Sequence, residues 1–397
     1  MYDAIVVGAR CGGSPTAMLL AGRGYRVLVV DRATFPSDTL STHFLHLSGT
    51  ALLERWGLLD RVRESGCPPV RELAFDIGPL CLIGSPVPAG PVDEMFCCRR
   101  TVLDHILVDA AVAAGAELRQ GFTVEGVVHE AGRVVGITGR DRRGRSVTER
   151  AAIVIGADGR RSLVARAVGA AEYDAVAPLA GYYYSYWSGI EAHRVEFYPR
   201  DGRVAGVLPT NDGLTCLFVG ARRRDFPTFR RDVEGFMGNV FASIPELASR
   251  VAAGRREERL RGTGDLPNFF RRPWGPGWAL VGDAGCHKDP ILGQGISDAF
   301  RDAEFLADAV DSGLSGGQSM TAALTGYESR RNDVERPRYE YNIQHAALDP
   351  PTPELTALFD ALKQNPHETR RFFGTYAGTV TVADFMRPEN VERIMAA

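Results

Sequence analysis

Short unbroken apolar runs and longer segments of helical periodicity take turns along the chain, and their order predicts most of the fold. The first run, Tyr2-Asp-Ala-Ile-Val-Val-Gly8, lacks polar alternation and stops at a glycine, which predicts a parallel strand buried on both faces. Ser14 to Ala21 follows with a helical pattern. Pro15 is tolerated there only in a first turn, whose N–H groups have no intrahelical partner, and Gly22 to Gly24 ends the helix. Arg26-Val-Leu-Val-Val-Asp31 is a second buried strand, so residues 2–31 spell a β-α-β unit.

The alternation recurs. Leu103 to Ala114 predicts an amphipathic helix and Val124–Glu130 and Val134–Thr138 short strands, while Arg140-Asp-Arg-Arg-Gly-Arg145 predicts a solvated hairpin tip. Ala152-Ile-Val-Ile155 is again a buried strand and runs into Gly156-Ala-Asp158-Gly159. Between Gly181 and Gly220 the pattern changes to aromatic-rich strands separated by turns such as Pro199-Arg-Asp-Gly202 and Asn211-Asp-Gly213, the mark of an inserted antiparallel sheet. Residues 226–253 read helical, and Trp278-Ala-Leu-Val281 restores a buried strand. Ile296 to Val310 and much of 320–395 read helical again, with Pro350-Pro-Thr-Pro353 and Pro366 as breakers. The expected fold is α/β: a Rossmann-like dinucleotide domain, an inserted antiparallel β-sheet substrate domain and a helical C-terminus. Residues 1–75, 98–175 and 265–335 are expected in the first, 76–97 and 176–264 in the second, and 336–397 in the third.

Composition narrows the class. A chain of 397 residues exceeds the roughly 250–300 at which one core stops growing, and 45% hydrophobic with 24% charged residues suits a globular enzyme. A formal net charge of -3 argues against nucleic acid as the partner, since counterion release needs a basic face. No apolar run reaches the ~18 residues of a membrane span. Asp3 stands where a signal peptide would carry basic residues, so a cytoplasmic location is expected. The 7 cysteines, Cys11, Cys67, Cys81, Cys97, Cys98, Cys216 and Cys286, show no paired metal-type spacing and read as reduced, structural thiols. Adjacent Cys97 and Cys98 point to opposite faces of a strand, which disfavours a vicinal disulfide. No metal cluster and no Ser/His/Asp arrangement is identifiable.

Candidate chemistry begins at Gly8-Ala-Arg10-Cys-Gly12-Gly13, a strand-to-helix turn able to hold a pyrophosphate on helix N-terminal N–H groups. The dinucleotide fingerprint wants glycine at position 10; Arg10 stands there, and its guanidinium either compensates by pairing with phosphate oxygen or weakens binding. Asp31, followed by Arg32, falls at the end of the second strand, where a carboxylate accepts hydrogen bonds from ribose hydroxyls.

Two further motifs specify the dinucleotide. Ile155-Gly-Ala-Asp158-Gly159-Arg-Arg-Ser162 and Val281-Gly282-Asp283-Ala-Gly-Cys-His287-Lys-Asp-Pro290-Ile-Leu-Gly293-Gln294-Gly295 resemble the paired DG and GD motifs of FAD-dependent single-component monooxygenases, and occur in that family's order. Arg100-Thr-Val-Leu103 resembles the family's flavin-contacting arginine segment. The resemblance covers roughly half the chain and implies an FAD-binding domain. Within it, Asp283 can accept from a ribityl or ribose hydroxyl, and the glycines beside Gln294 let backbone N–H groups approach a flat ring. The family's matching proline implies that Pro290 packs beside the flavin's reactive edge. His287 stands one position later than the family's histidine, where this chain has Cys286, so a catalytic role for His287 is only a candidate. Lys288, one of only two lysines with Lys363, hints at a need for a compact ammonium. His43, in Ser41-Thr42-His43-Phe-Leu-His46, lies where the family sends a loop past the flavin and is a second candidate.

In Tyr182-Tyr183-Tyr184-Ser185-Tyr186-Trp187, alternation puts one subset inward, so Tyr182, Tyr184 and Tyr186 are candidate substrate contacts. The resemblance implies a monooxygenase that takes NAD(P)H as a transient reductant and dioxygen as co-substrate. The small-molecule substrate would be aromatic, polyketide-like or otherwise electron-rich. Flavin halogenases share the same segments but usually carry a WxWxIP motif, which Trp274-Gly-Pro-Gly-Trp278 does not match. Geranylgeranyl-reductase-like enzymes also share the fold, yet Val204-Ala-Gly-Val-Leu-Pro209 lacks their aromatic PxxYxWxFP pattern. A flavoprotein-like binding protein, similar to the Rab GDP-dissociation inhibitors, is the non-catalytic alternative.

Overall fold

A computed structural model describes residues 1–396. Its first sheet runs, in spatial order, Trp274–Gly275, Trp278–Leu280, Ser146–Gly156, Tyr2–Val7, Val27–Asp31 and Glu117–Gln120. All these neighbours pair in parallel except the short hairpin Trp274–Gly275 with Trp278–Leu280. The unbroken apolar runs have a direct cause in this geometry. Ala4, Val6, Val27, Val29, Ile153 and Ile155 face a helical layer through Ala17, Leu20, Leu306 and Val310, while Ile5, Val7, Leu28, Val30 and Val154 face the opposite core. That second face is covered by the antiparallel meander Thr123–Glu130, Arg133–Arg140 and Ser146–Gly156, whose turn is the basic segment 141–145.

The inserted sheet runs Arg255–Arg256, Ala180–Ser188, Thr215–Arg222, Arg203–Pro209, Val195–Arg200, Leu73–Asp76 and Cys81–Gly84, with Arg261–Thr263 also beside Ala180–Ser188. Its outer face, with Ala205, Val207, Leu217 and Val219, is packed by Phe229, Met237, Val240, Phe241 and Leu247 of the helices Phe226–Arg231, Val233–Ala242 and Pro245–Ala253. The strand Leu73–Asp76 straddles the division expected at residues 75 and 76; it pairs in parallel with Val195–Arg200, and no apolar alternation announced it.

From Gly295 onward the chain is helical, as its periodicity indicated. Gly295–Leu314 packs on Gly13–Gly22 and on Met320–Ala346. Pro353–Lys363 and Pro366–Ala377 then close over the inserted sheet, where Phe75 meets Tyr376 at 4.7 Å and Phe197 at 5.1 Å between ring centroids. All 7 cysteines are free thiols, and Cys97 and Cys98 are both fully buried.

Candidate functional site

The register of the parallel sheet brings four turns to one edge. Val7 pairs with Gly156 and Val30, and Gly156 with Leu280, so the segments after Val7, Asp31, Gly156 and Val281 all leave from the carboxyl ends of adjacent strands. Tyr2–Val7 has one successor on each side, which makes this edge the topological switch point where open α/β sheets bind ligands. The turn is built by close approach. Gly8 has φ 102°, and a Cβ there would lie 2.4 Å from the Ala157 carbonyl oxygen. A Cβ on Gly13 would lie 1.8 Å from the Gly8 oxygen, so only glycine lets the helix start this close to the strand. Gly12 faces Val281 and Gly282 of the neighbouring turn.

Asp31 is buried at the strand end, its Oδ2 accepting from Ala9 N–H at 2.8 Å and its Oδ1 from Ala33 N–H at 2.7 Å. Arg32 beside it is exposed. Arg10 turns inward: it pairs with Asp104, donates to Ser37 Oγ at 2.9 Å, and stacks 5.3 Å from the Phe35 ring centre. Asp104, fully buried, also receives Arg100 at 2.8 Å, so two guanidinium groups share one carboxylate beneath the glycine turn. Pairing of Arg10 with phosphate therefore competes with a protein carboxylate that sequence reasoning passed over. The i, i+4 spacing of Arg100 and Asp104 on the helix Arg100–Ala113 was its only visible sign.

Asp158 acts on its own helix. Its carboxylate accepts from Ser162 Oγ at 2.5 Å and from Leu163 N–H at 2.6 Å, capping Leu163–Ala167. Asp283, in contrast, is exposed at the edge, and its charge acts on Arg100. Gln294 is 3% exposed; its amide donates to the Tyr376 carbonyl at 3.4 Å, and its Oε1 has no partner. Gly293 closes the turn Pro290–Leu292 in the left-handed region, and Gly295, exposed, opens the next helix. A glycine cradle, a carboxylate at the second strand end, an exposed carboxylate near Arg100 and an unpartnered amide oxygen on the loop fit a dinucleotide with a flat ring at its far end.

The loop is held from below. Lys288 lies 2.9 Å from Asp298 and pairs with Glu335 of Met320–Ala346, while Arg301 lies 3.0 Å from Asp298 and 2.9 Å from Glu335. Burial pulls the Lys288 ammonium down, but Asp298 and Glu335 hold it above its ordinary range. The ammonium ties the loop to the two helices below it. His287 is likewise committed to structure: its Nδ1 contacts the Pro267 carbonyl, and its ring stacks on Phe269 at 5.7 Å. Its catalytic candidacy is not carried forward, because the ring is packed into the small sheet of Glu172–Val176, Asn268–Arg271 and Cys286–His287.

Alternation sorts the tyrosines. Tyr183 stacks outward on Phe226 at 5.8 Å, whereas Tyr182, Tyr184 and Tyr186 share the inner face and are buried. His43 meets two of them, with ring centres 5.5 Å from Tyr184 and 5.6 Å from Tyr186, and its Nε2 lies 2.6 Å from the Tyr186 hydroxyl. Burial, with Arg100 nearby, lowers its pKa to about 3, so the imidazole is neutral. Its Nδ1 and the Tyr184 hydroxyl are buried without partners. His43 also has φ 65°, an uncommon conformation for a side-chain-bearing residue. Tyr182 is spoken for: its hydroxyl donates to Asp289 Oδ1 at 2.6 Å, which ties the inner face to the residue preceding Pro290. Among the described residues no group of histidine, cysteine and carboxylate side chains could hold a metal ion, and no helix is long and apolar enough to cross a membrane.

Sheet order, glycine cradle and carboxylate placement together define a dinucleotide-binding flavoprotein with an inserted antiparallel sheet. The chain belongs to the FAD binding domain family, which matches residues 1–338, and it is an FAD-dependent oxidoreductase. It is 30% identical over 356 residues to the rifampicin monooxygenase of Streptomyces venezuelae, covering 84% of this chain and 69% of that protein. It is 26% identical over 335 residues to a digeranylgeranylglycerophospholipid reductase of Methanocella arvoryzae, covering 83% and 82%. Among solved structures, a myxobacterial chondrochloren halogenase superposes with a TM-score of 0.81 at 22% identity, over 99% of this chain and 95% of that one; this likeness shows the fold alone.

Proposed function

We propose that the protein is an FAD-dependent monooxygenase that takes electrons from NAD(P)H and places one atom of dioxygen on an electron-rich small molecule, aromatic or polyketide-like. The observation that carries this reading is the buried inner face of Tyr184 and Tyr186 with neutral His43 against it, a π-rich wall on which the Arg99 guanidinium lies 4.1 Å from the Tyr186 ring centre. When bound, FAD supplies the redox chemistry and the activation of dioxygen. The chain supplies binding, orientation and dryness.

Gly8, Gly12 and Gly13 leave backbone room for the pyrophosphate, and Arg10 and Arg100 balance charge around Asp104. Asp31 and Asp283 offer carboxylate acceptors to hydroxyls, and Arg32 lies outside them. Gly293, Gln294 and Gly295 would hold the ring of bound FAD, with Pro290 beside it. Tyr184 and Tyr186 offer ring faces to a flat substrate. His43, uncharged, presents Nδ1 as a hydrogen-bonding position that neither Tyr186 nor any other group has taken. Phe372, Phe373 and Tyr376 of the helix Pro366–Ala377 pack on Phe75 of the inserted sheet.

The test is turnover under labelled dioxygen with NADPH or NADH and a panel of phenols and polyketides. One labelled oxygen atom per productively oxidised nicotinamide is expected. A saturated, unlabelled product formed anaerobically would replace this reading with alkene reduction, and a product dependent on chloride or bromide would replace it with halogenation.

A further inference from the structure

Asp289 is 2% exposed, yet no cation faces it. Its Oδ1 accepts from the Tyr182 hydroxyl at 2.6 Å and from Ile291 N–H at 3.0 Å, and its Oδ2 has no partner. The backbone around it is fully engaged. Asp289 N–H donates to Asn268 Oδ1 at 2.6 Å, and the Asp289 carbonyl accepts from Asn342 Nδ2 at 3.0 Å. Residues from three separate elements thus hold Asp289: Tyr182 on the inserted sheet bonds its carboxyl, while Asn268 on the small sheet and Asn342 on the helix Met320–Ala346 bond its backbone. The residue lies on the segment running from Asp283, beside the glycine cradle, to Gln294, so it sits at the seam between cofactor edge and substrate face.

The charged groups around it are committed elsewhere. On its own loop His287 is tied to Pro267 and Lys288 to Asp298 and Glu335. On the helices below, Arg301 and Arg338 pair with Asp298, and Glu335 is held by Arg301 and Lys288. On the small sheet Arg271 pairs with Glu172. His46, from the loop above, bonds the Leu292 carbonyl at 2.8 Å and is neutral. Tyr182 and Ile291 N–H are therefore the groups that stabilise the carboxylate form, and they do not offset burial: the Asp289 pKa is pushed up to about 7.

We propose that Asp289 is a proton donor of the site, holding a proton on Oδ2 and releasing it when the reduced cofactor is oxidised, with Tyr182 as the positioning residue that tunes it. The balance calls for a proton, which Asp289 would supply. Oxidation of the reduced, anionic flavin by dioxygen gives oxidised flavin and hydrogen peroxide; two electrons and the flavin's N–H proton leave with one further proton taken up. Oxygen transfer to substrate, with water as the second product, takes up a proton as well, as does saturation of an alkene. The inference rests on the FAD-dependent oxidoreductase assignment and stands whichever of those reactions the enzyme performs.

Two measurements test it without the natural substrate. Infrared difference spectra of the FAD-bound protein between pH 5 and 9 should show a protonated carboxyl band that titrates near neutrality and vanishes in Asp289→Asn. Stopped-flow reoxidation of the dithionite-reduced enzyme by dioxygen should slow as pH rises through the same range. Asp289→Asn should lose that break and run at least ten-fold slower at pH 6, with FAD content unchanged. Tyr182→Phe removes a donor to the carboxylate, so band and break should both move to higher pH while the reaction persists; it also serves if Asp289→Asn fails to fold. A pH profile of Asp289→Asn equal to that of the parent, or no titrating carboxyl, overturns the proposal. Failure of oxygen labelling with these results intact would overturn only the monooxygenase reading.

Discussion

Lys288→Met probes the ionic bridge under the cofactor loop. Three cations, Lys288, Arg301 and Arg338, face three carboxylates, Asp298, Asp302 and Glu335, in a space where the Lys288 side chain is 7% exposed and that of Glu335 2%. Methionine fills the volume but leaves two cations for three carboxylates. Removing one partner of a buried pair costs about 3–5 kcal/mol, and because Arg301 still reaches both Asp298 and Glu335 the lower figure of about 3 kcal/mol applies. With about 2.1 cal/mol/K per residue near 60 °C, 397 residues give an unfolding entropy of about 0.8 kcal/mol/K, so the melting midpoint should drop by about 4 °C. Calorimetry at pH 7 and one scan rate reads this directly.

The pH dependence fixes the sign. Burial raises the Asp298 carboxyl, but Lys288, Arg338 and Arg301 together hold it well below its ordinary range. A folded-state value below the unfolded one means stability that is present at neutral pH and is lost as pH falls below about 4. The deficit of Lys288→Met should accordingly begin to shrink there. Lys288→Met with Glu335→Leu restores two cations to two carboxylates and should recover at least half of the loss. An unchanged midpoint in the single variant, or strictly additive losses in the double, would refute the account of the loop as ionically anchored.

Gly13→Ala should abolish FAD retention, measured as flavin released on denaturation, because its methyl group would sit 1.8 Å from the Gly8 oxygen and the helix must shift. Asp31→Ala should weaken FAD binding by about 1.5–3 kcal/mol, the worth of hydrogen bonds to a charged acceptor, read by fluorescence titration of the apoprotein. Arg10→Gly should lower FAD affinity and make what remains less sensitive to salt between low and physiological ionic strength; identical salt dependence would place Arg10 wholly in the service of Asp104. Tyr184→Ala should raise hydrogen peroxide release per NAD(P)H oxidised, because a hole in the inner face admits water.

How much of this was legible follows from the range of the interactions. The nucleotide sheet could be read because burial on both faces writes itself as unbroken apolar runs, and the glycine turn because backbone packing leaves room for no other residue. Alternation placed Tyr182, Tyr184 and Tyr186 together on one face. The hairpin of Leu73–Asp76 with Cys81–Gly84 was not legible, since its strand pairs with Val195–Arg200 far along the chain and its burial pattern is irregular. Asp289 was passed over for a similar reason: its environment is set by Tyr182, Asn268 and Asn342, none of them near it in sequence. The purpose of Lys288 became plain only when Glu335 was brought beside it.

Shared architecture does not choose the reaction. Proteins named as a monooxygenase and a reductase match most of this chain, so residues 1–338 as a family trait supply FAD and leave the chemistry open. What can choose is the wall opposite the cofactor loop and whatever covers it. Contacts with that side of the inserted sheet come from beyond residue 338: Phe372, Phe373 and Tyr376 pack on Phe75, and the Tyr376 carbonyl takes the Gln294 amide at 3.4 Å. The same helix therefore touches both the inserted sheet and the loop Pro290–Gly295. Its packing couples the inserted sheet at Phe75 to the Pro290–Gly295 loop at Gln294. Selectivity is then expected to follow the Pro366–Ala377 helix more closely than the dinucleotide cradle. Exchanging Phe372 or Phe373 for leucine should alter coupling efficiency and substrate preference while FAD affinity stays within about two-fold; equal coupling with altered FAD affinity would place control in the cradle instead.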